Sequence, residues 1–376
     1  MRKFALLLVV MASAWMLPAQ QGPKKDESET VARPRRTSKK ESKEEEKAPI
    51  LSRTRKKAEN GTDVPPDAAT FRSDATTVQV DVAVLDNKGR FIPNIPRGNF
   101  RVLEDGVPQQ TKEFSMGEAP MTIALVIEFS NLFQSYWSQG WYESLMATYG
   151  FVQTLKPEDY VAVVAFDLRP EMLSDFTTDR RLTQEALQRL RIAAFSESNM
   201  YDALVDTAER MQEIEGRKAI LYMGSGIDTF SKMTFDQCRK RLQSAGVPIY
   251  ALSILQAWRD RMDSYGAMGP IARLDFLQAD NTLRTFSKET GGMAFFPRFL
   301  GEYGGVFGNI QYSLRNQYAL SYTPTNALRD GKFRKIKVEL INPATNEPLR
   351  VTDEKGKPIK YTIMAKAGYT APREVE

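Results

Sequence analysis

The chain has 376 residues, 42% of them hydrophobic and 26% charged, with a formal net charge of +5 and a pI near 9.0. That length accommodates about two or three domains. It contains no histidine and one cysteine, Cys238. This composition excludes Ser-His-Asp and Cys-His catalysis, His-ligated zinc and an internal disulfide.

The positive charge is unevenly placed. Lys24–Glu59 holds 13 Lys/Arg against 8 Asp/Glu, and Arg2 and Lys3 add two more cations. The remainder carries 37 basic and 39 acidic residues. The basic surplus therefore belongs to the first sixty residues, and the folded part is not expected to bind nucleic acid.

Residues 1–20, MRKFALLLVVMASAWMLPAQ, have two cations, an apolar run and small residues before a cleavage position at Ala14 or Ala19. They read as a secretory signal peptide, the run being shorter than the roughly 20 residues a membrane span needs. An uncleaved anchor helix is the alternative. The expected location is secreted, periplasmic or cell-envelope, in a bacterium, with no stable membrane span after cleavage. Residues 21–75 are rich in Lys, Glu, Arg, Ser and Pro and read as a charged tether without a core.

Thr77–Leu85 alternates, with Val78, Val80, Val82 and Val84 on one face, which predicts a half-buried strand. Asn99–Leu103 and Gln109–Phe114 read as two further strands around the turn Glu104-Asp105-Gly106. Three short strands leave an apolar face uncovered, so residues 76–118 need a partner.

From Met121 the rhythm changes. MTIALVIEFSNLF contains Ile123–Ile127 unbroken by a polar residue, as expected of a strand covered on both faces in a parallel sheet. Glu128 and Ser130 follow at its carboxyl end, where open α/β sheets place their ligand crevice. Helices are predicted at Trp141–Leu155, Arg181–Ile192, Tyr201–Ile214, Thr234–Ala245, Leu274–Thr290 and Gly305–Leu314. Strands are predicted at Tyr160–Phe166, Ala219–Met223, Pro248–Ile254 and Met293–Phe296, and Gln256–Arg273 reads as a long connecting segment. This alternation across 119–316 predicts a doubly wound, mostly parallel α/β sheet. Cys238, inside the helical pattern Phe235–Leu242, reads as a small buried apolar residue.

The tail 317–370 returns to strands at Gln317–Tyr322, Phe333–Ile341, Leu349–Thr352 and Tyr361–Ala365. These are the expected partners of the strands in 76–118, forming a split β-sandwich that flanks the α/β domain.

Several segments together resemble the von Willebrand factor A-type (VWA) fold, and more closely the acidobacterial VWFA-related family of exported proteins. They are Val78–Val84, FRVLEDGVPQ (Phe100–Gln109), LVIEFS (Leu125–Ser130), SNMYDAL (Ser198–Leu204), KAILYMGSGIDT (Lys218–Thr229), TGGMAFFP (Thr290–Pro297) and QYALSYTPTN (Gln317–Asn326). Metal-binding VWA domains carry an adhesion site of the pattern Asp-x-Ser-x-Ser, a later Thr and a later Asp, whose oxygens hold Mg²⁺ with an open position for a ligand. The resemblance places these positions on Glu128, Ser130, Leu132, Ser198 and Ser225 (or Gly224). Leu132 offers no oxygen, and neither Ser225 nor Gly224 is a carboxylate.

The resemblance thus implies a degenerate site, with a hydrogen-bonded polar cluster in place of the metal and no cofactor. Two alternatives stay open. One is Mg²⁺ held by Glu128, Ser130, Ser198 and Asp228; the other is a hydrolase using Glu128 and Asp228 as paired carboxylates. The expected function is non-enzymatic binding of a protein partner. Phe133, Tyr136, Trp137 and Trp258 form the candidate contact surface, because all follow strands whose carboxyl ends share one face.

Overall fold

The computed structural model describes residues 77–116, 119–130, 142, 145–190, 195–214, 216–299, 301–352 and 356–373. Four strands come first: β1 (Val78–Asp86), β2 (Phe100–Glu104), β3 (Val107–Gln109) and β4 (Thr111–Met116). Then follow β5 (Met121–Glu128), helix α1 (145–154), β6 (Tyr160–Phe166), β7 (Pro170–Thr177), α2 (Arg180–Gln188) and α3 (Met200–Gln212). After these come β8 (Arg217–Gly224), α4 (Phe235–Ala245), β9 (Ile249–Ser253), α5 (Gln256–Ser264), α6 (Pro270–Thr290), β10 (Ala294–Phe295) and α7 (Gly301–Asn316). Six strands close the chain: β11 (Tyr318–Tyr322), β12 (Phe333–Leu340), β13 (Val351–Thr352), β14 (Pro358–Ile359), β15 (Tyr361–Met364) and β16 (Gly368–Thr370).

β5 is central to a six-stranded sheet of order β10-β9-β8-β5-β6-β7. It pairs in parallel with β6 on one side and β8 on the other. Its alternate residues feed two cores. Ile123, Leu125 and Ile127 pack with Phe151, Val152, Phe307 and Ile310 on one face. Ala124 and Val126 pack with Leu204, Ala208 and Leu242 on the other. Each fully buried branched or aromatic side chain contributes roughly 1.5–3 kcal/mol, which is why an uninterrupted apolar run suits this position.

The edge strand β7 runs antiparallel to β6 with irregular register. Its sequence PEMLSDFT is only partly buried and carries no periodic signal, so the alternation of strands and helices did not reveal it. Helix ends follow local chemistry. Thr234 caps α4 in a reciprocal capping box with Gln237, and Gly246 ends that helix in the left-handed region at φ 63°.

Strands from the two ends of the described chain share sheets. β1 lies antiparallel between β11 and β15, and β11 also pairs β4. β12 lies antiparallel between β2 and β16, and β2 pairs β3. Apolar residues of both four-stranded sheets form one cluster, including Val80, Val102, Tyr318 and Val338. The β2–β3 turn is Asp105-Gly106, with φ of 47° and 87°, the two left-handed residues that a tight hairpin requires.

Two expectations need correction here. The predicted single strand Gln109–Phe114 is broken at Gln110, its halves joining different sheets. Gln109 fixes the break by bonding the Thr325 hydroxyl and amide, each at 3.0 Å. The alternation of β1 holds only for its first half, since Ala83–Asp86 are buried on both faces. There β15 covers the second edge, and α7 packs on the strand.

Candidate functional site at the carboxyl end of the parallel sheet

β5 ends on Glu128, whose side chain is buried at 1% exposure. Its Oε2 accepts from the Ser225 amide at 2.6 Å and from the Ser225 hydroxyl at 2.7 Å. Its Oε1 accepts from the Ser130 hydroxyl at 3.1 Å. The Ser198 hydroxyl also approaches this carboxylate but donates to the Ile227 carbonyl at 2.8 Å. Ser198 is held in place by the Thr229 hydroxyl, which accepts from its amide at 2.9 Å.

Four residues placed by the resemblance, Glu128, Ser130, Ser198 and Ser225, therefore converge from three separate stretches of chain. Burial pushes the Glu128 carboxyl above its ordinary 4.5, and the Ser225 amide and hydroxyl and the Ser130 hydroxyl pull it back without cancelling the rise.

Two further residues complete the cluster. The Tyr222 hydroxyl lies against Glu128 and accepts from the Gly226 amide at 2.9 Å. Burial and then the neighbouring carboxylate hold its phenol well above 10. Gly224 lets the strand approach this closely. A Cβ there would stand 2.4 Å from the Tyr222 hydroxyl and 2.6 Å from Glu128 Oε2. The sequence signal for Tyr222 was one phenol at an otherwise apolar strand position, which also fits plain core packing.

Asp228 belongs to a neighbouring cluster. Its Oδ1 accepts from the Ser231 hydroxyl at 2.5 Å and the Tyr201 amide at 3.1 Å. The Ser231 hydroxyl also approaches Asn199 Oδ1 at 2.9 Å. Burial raises the Asp228 carboxyl, and the Ser231 hydroxyl and Tyr201 amide oppose that rise. Asp202, in the first turn of α3, accepts from the Lys232 amide at 3.1 Å. Cys238 is fully buried, and that burial pushes its thiol far above the ordinary range. Among the described residues no group of three His, Cys, Asp or Glu side chains stands at metal-holding spacing.

Leu132, Phe133, Tyr136 and Trp137 lie outside the described residues. Trp258 does not sit in a loop: it is in α5, half-buried against the core and edge-on to Phe276 at 5.9 Å. The Arg259 guanidinium covers Phe276 at 4.9 Å and forms a two-pronged bond to Asp280 at 2.7 and 3.1 Å. These contacts fasten α5 to α6. The exposed apolar side chains nearby are Tyr265 (74% exposed), Ile271 (77%) and Leu274 (54%). α6 runs back along the sheet toward β10, so its first turns lie at the same end as Glu128.

No protein-family model matches the chain, and no curated protein sequence matches it. Among the described residues no helix is long and apolar enough to cross a membrane. Three solved structures are similar in fold. One is the conserved hypothetical protein BatB from Bacteroides thetaiotaomicron, at 11% identity and TM-score 0.38, covering 51% of this chain and 97% of that one. The second is an aerotolerance-related membrane protein from Bacteroides fragilis, at 15% identity and TM-score 0.38, covering 52% and 98%. The third is the vWF domain of the type V pili tip protein Mfa5 from Porphyromonas gingivalis, at 11% identity and TM-score 0.35, covering 53% and 97%.

Proposed function

We propose that this chain is an exported, non-enzymatic protein-interaction module of the VWA type, related to the VWFA-related family, which works without a metal ion. We read its two antiparallel sheets as one split β-sandwich, because they share strands from both chain ends and one apolar cluster. Export rests on the leader-like pattern of residues 1–20 and the charged tether after them.

The observation that carries the reading is the state of Glu128. Both of its oxygens are occupied by donors of the protein, and the protons of Ser130 and Ser225 are directed at the carboxylate itself. Mg²⁺ requires a near-octahedral oxygen shell with several waters. One carboxylate and hydroxyls already engaged with one another do not fit that requirement.

The same facts weigh against hydrolysis. A general acid or base has to reach its substrate, whereas Glu128 is sealed from solvent and Asp228 is engaged by Ser231 and Tyr201. The working surface is then the rim of the sheet's carboxyl end. Tyr265, Ile271 and Leu274 expose apolar area there, as contact patches do.

The test is capture of partners from a cell-envelope extract by the full chain, in Mg²⁺ and in chelator. Equal capture in both, weakened in Ile271→Asp with Leu274→Asp, is expected. Capture that needs Mg²⁺ and is lost in Glu128→Gln would replace this reading with metal-dependent adhesion.

A further inference from the structure

A second surface lies away from the Glu128 cluster and goes beyond the reading above. A groove of about 700 Å³ runs between α6, β10, β12 and β15. β10 is the outer strand of the parallel sheet and β15 the outer strand of its antiparallel sheet. The chain after β15 joins β12 at Ala367, whose carbonyl accepts from the Ile336 amide at 2.8 Å. The two strands approach again at the far end, where the Tyr361 hydroxyl donates to the Leu349 carbonyl at 2.9 Å and the Leu349 amide to the Leu340 carbonyl at 3.0 Å.

Between those two closures the edge of β12 is open. The Ile336 amide and the Leu340 carbonyl both point away from β2, so by the two-residue period of a strand the Val338 amide and carbonyl do as well. Opposite this edge β16 pairs only Phe333–Lys335 and stops short of Val338. Among the described residues nothing pairs the Val338 backbone on that side. A strand edge with one free donor and acceptor, set in a groove, is the geometry of peptide addition to a sheet.

The lining indicates what would add. Its floor is apolar, with Met293, Ile363 and Met364 partly buried around it. Its cations are Arg284, stacked on Phe296 at 4.0 Å, Lys288 and Lys337, both exposed, and the half-buried Lys366. Glu289 is the one carboxylate of the lining, and Arg239 and Gln243 already hold it. Among the described residues Arg284 and Lys288 have no carboxylate at salt-bridge distance, and Lys337 has Glu339 at 2.8 Å.

We propose that this groove binds an extended segment of a partner protein that alternates acidic and apolar residues. The segment's backbone would pair with Val338, its apolar side chains would face Ile363 and Met364, and its carboxylates would meet Lys288 and Lys337.

The test titrates the full chain with a labelled heptapeptide of alternating Glu and Val. Controls are its Lys-for-Glu counterpart and a version methylated on the central Val amide. Saturable binding of the acidic peptide that shifts the Val338 amide resonance is expected. Binding should weaken at least tenfold with the methylated peptide, and again in Lys288→Glu with Lys337→Gln, two exposed substitutions that leave the fold intact. The lysine peptide should not bind. Absence of saturable binding, an unmoved Val338 resonance, or equal binding of the methylated peptide would each overturn the proposal.

Discussion

Two carboxylates are buried at opposite ends of the same parallel sheet, and the protein accommodates them differently. Asp159, just before β6, is met by the Arg315 guanidinium at 2.5 Å and by the Met121 and Lys156 amides at 3.0 and 2.8 Å. Glu128, at the other end, is met by hydroxyls and one amide, with no cation at salt-bridge distance among the described residues. The first arrangement is a strut that ties α7 to the start of β5 and β6. In the second, an acid is held by dipoles alone, so its charge stays costly and its proton affinity rises. Arg217 reinforces the contrast. At the strut end it donates to the Leu314 and Gln317 carbonyls at 2.8 and 3.2 Å and also caps Arg315, closing the last turn of α7.

The largest effect is expected at the strut. Arg315→Ala would strand the Asp159 charge in the interior, a loss of about 3–5 kcal/mol, measured by urea unfolding. An effect below about 1 kcal/mol would show that Asp159 is satisfied by its two amides and that the ends are less different than argued. Next comes Glu128→Ala, which leaves the Ser225 amide and the Ser130 hydroxyl without their acceptor, at about 2–3 kcal/mol. Gly224→Ala should cost about 1–3 kcal/mol by forcing a methyl group against Tyr222 and Glu128. A neutral Gly224→Ala would mean that the strand and the carboxylate are farther apart than described.

The smallest of these effects depends on pH. The folded-state pKa of Glu128 is raised above its ordinary 4.5. Between those two values the folded protein holds the proton that the unfolded chain has released, so stability falls as pH rises through that window. Glu128→Gln keeps an acceptor for Ser225 and removes the charge. The variant should therefore gain on the wild type as pH rises from about 4 toward neutrality, and the gap should close in acid. A gap that is constant with pH would mean that folding leaves the Glu128 proton affinity unchanged.

The contrast between the two ends was only half legible in the chain. β5 stood out because a strand covered on both faces must be apolar at every position. The cluster was legible because the resemblance aligned Glu128, Ser130, Ser198 and Ser225, which the structure brings together. Tyr222 was not, since a tyrosine at a strand's end fits packing equally well, and Gly224 entered only as an alternative to Ser225, not as the residue that lets the strand approach the carboxylate. The role of Asp159 was hidden because Arg315 lies 156 residues away. Trp258 was misread because Gln256–Ser264 is short and mostly polar. Its helical signal is the single pair Trp258 and Met262, both of which pack on the core.

The difference between the two ends is tested most directly by melting wild type and Glu128→Gln with and without about 5 mM Mg²⁺. A ligand that binds only the folded state raises the melting temperature. A carboxylate enclosed by its own hydroxyls should give the same curve with and without the ion in both proteins. A rise in the wild type that disappears in Glu128→Gln would show that Glu128 is a metal ligand, and would contradict the reading of this end of the sheet.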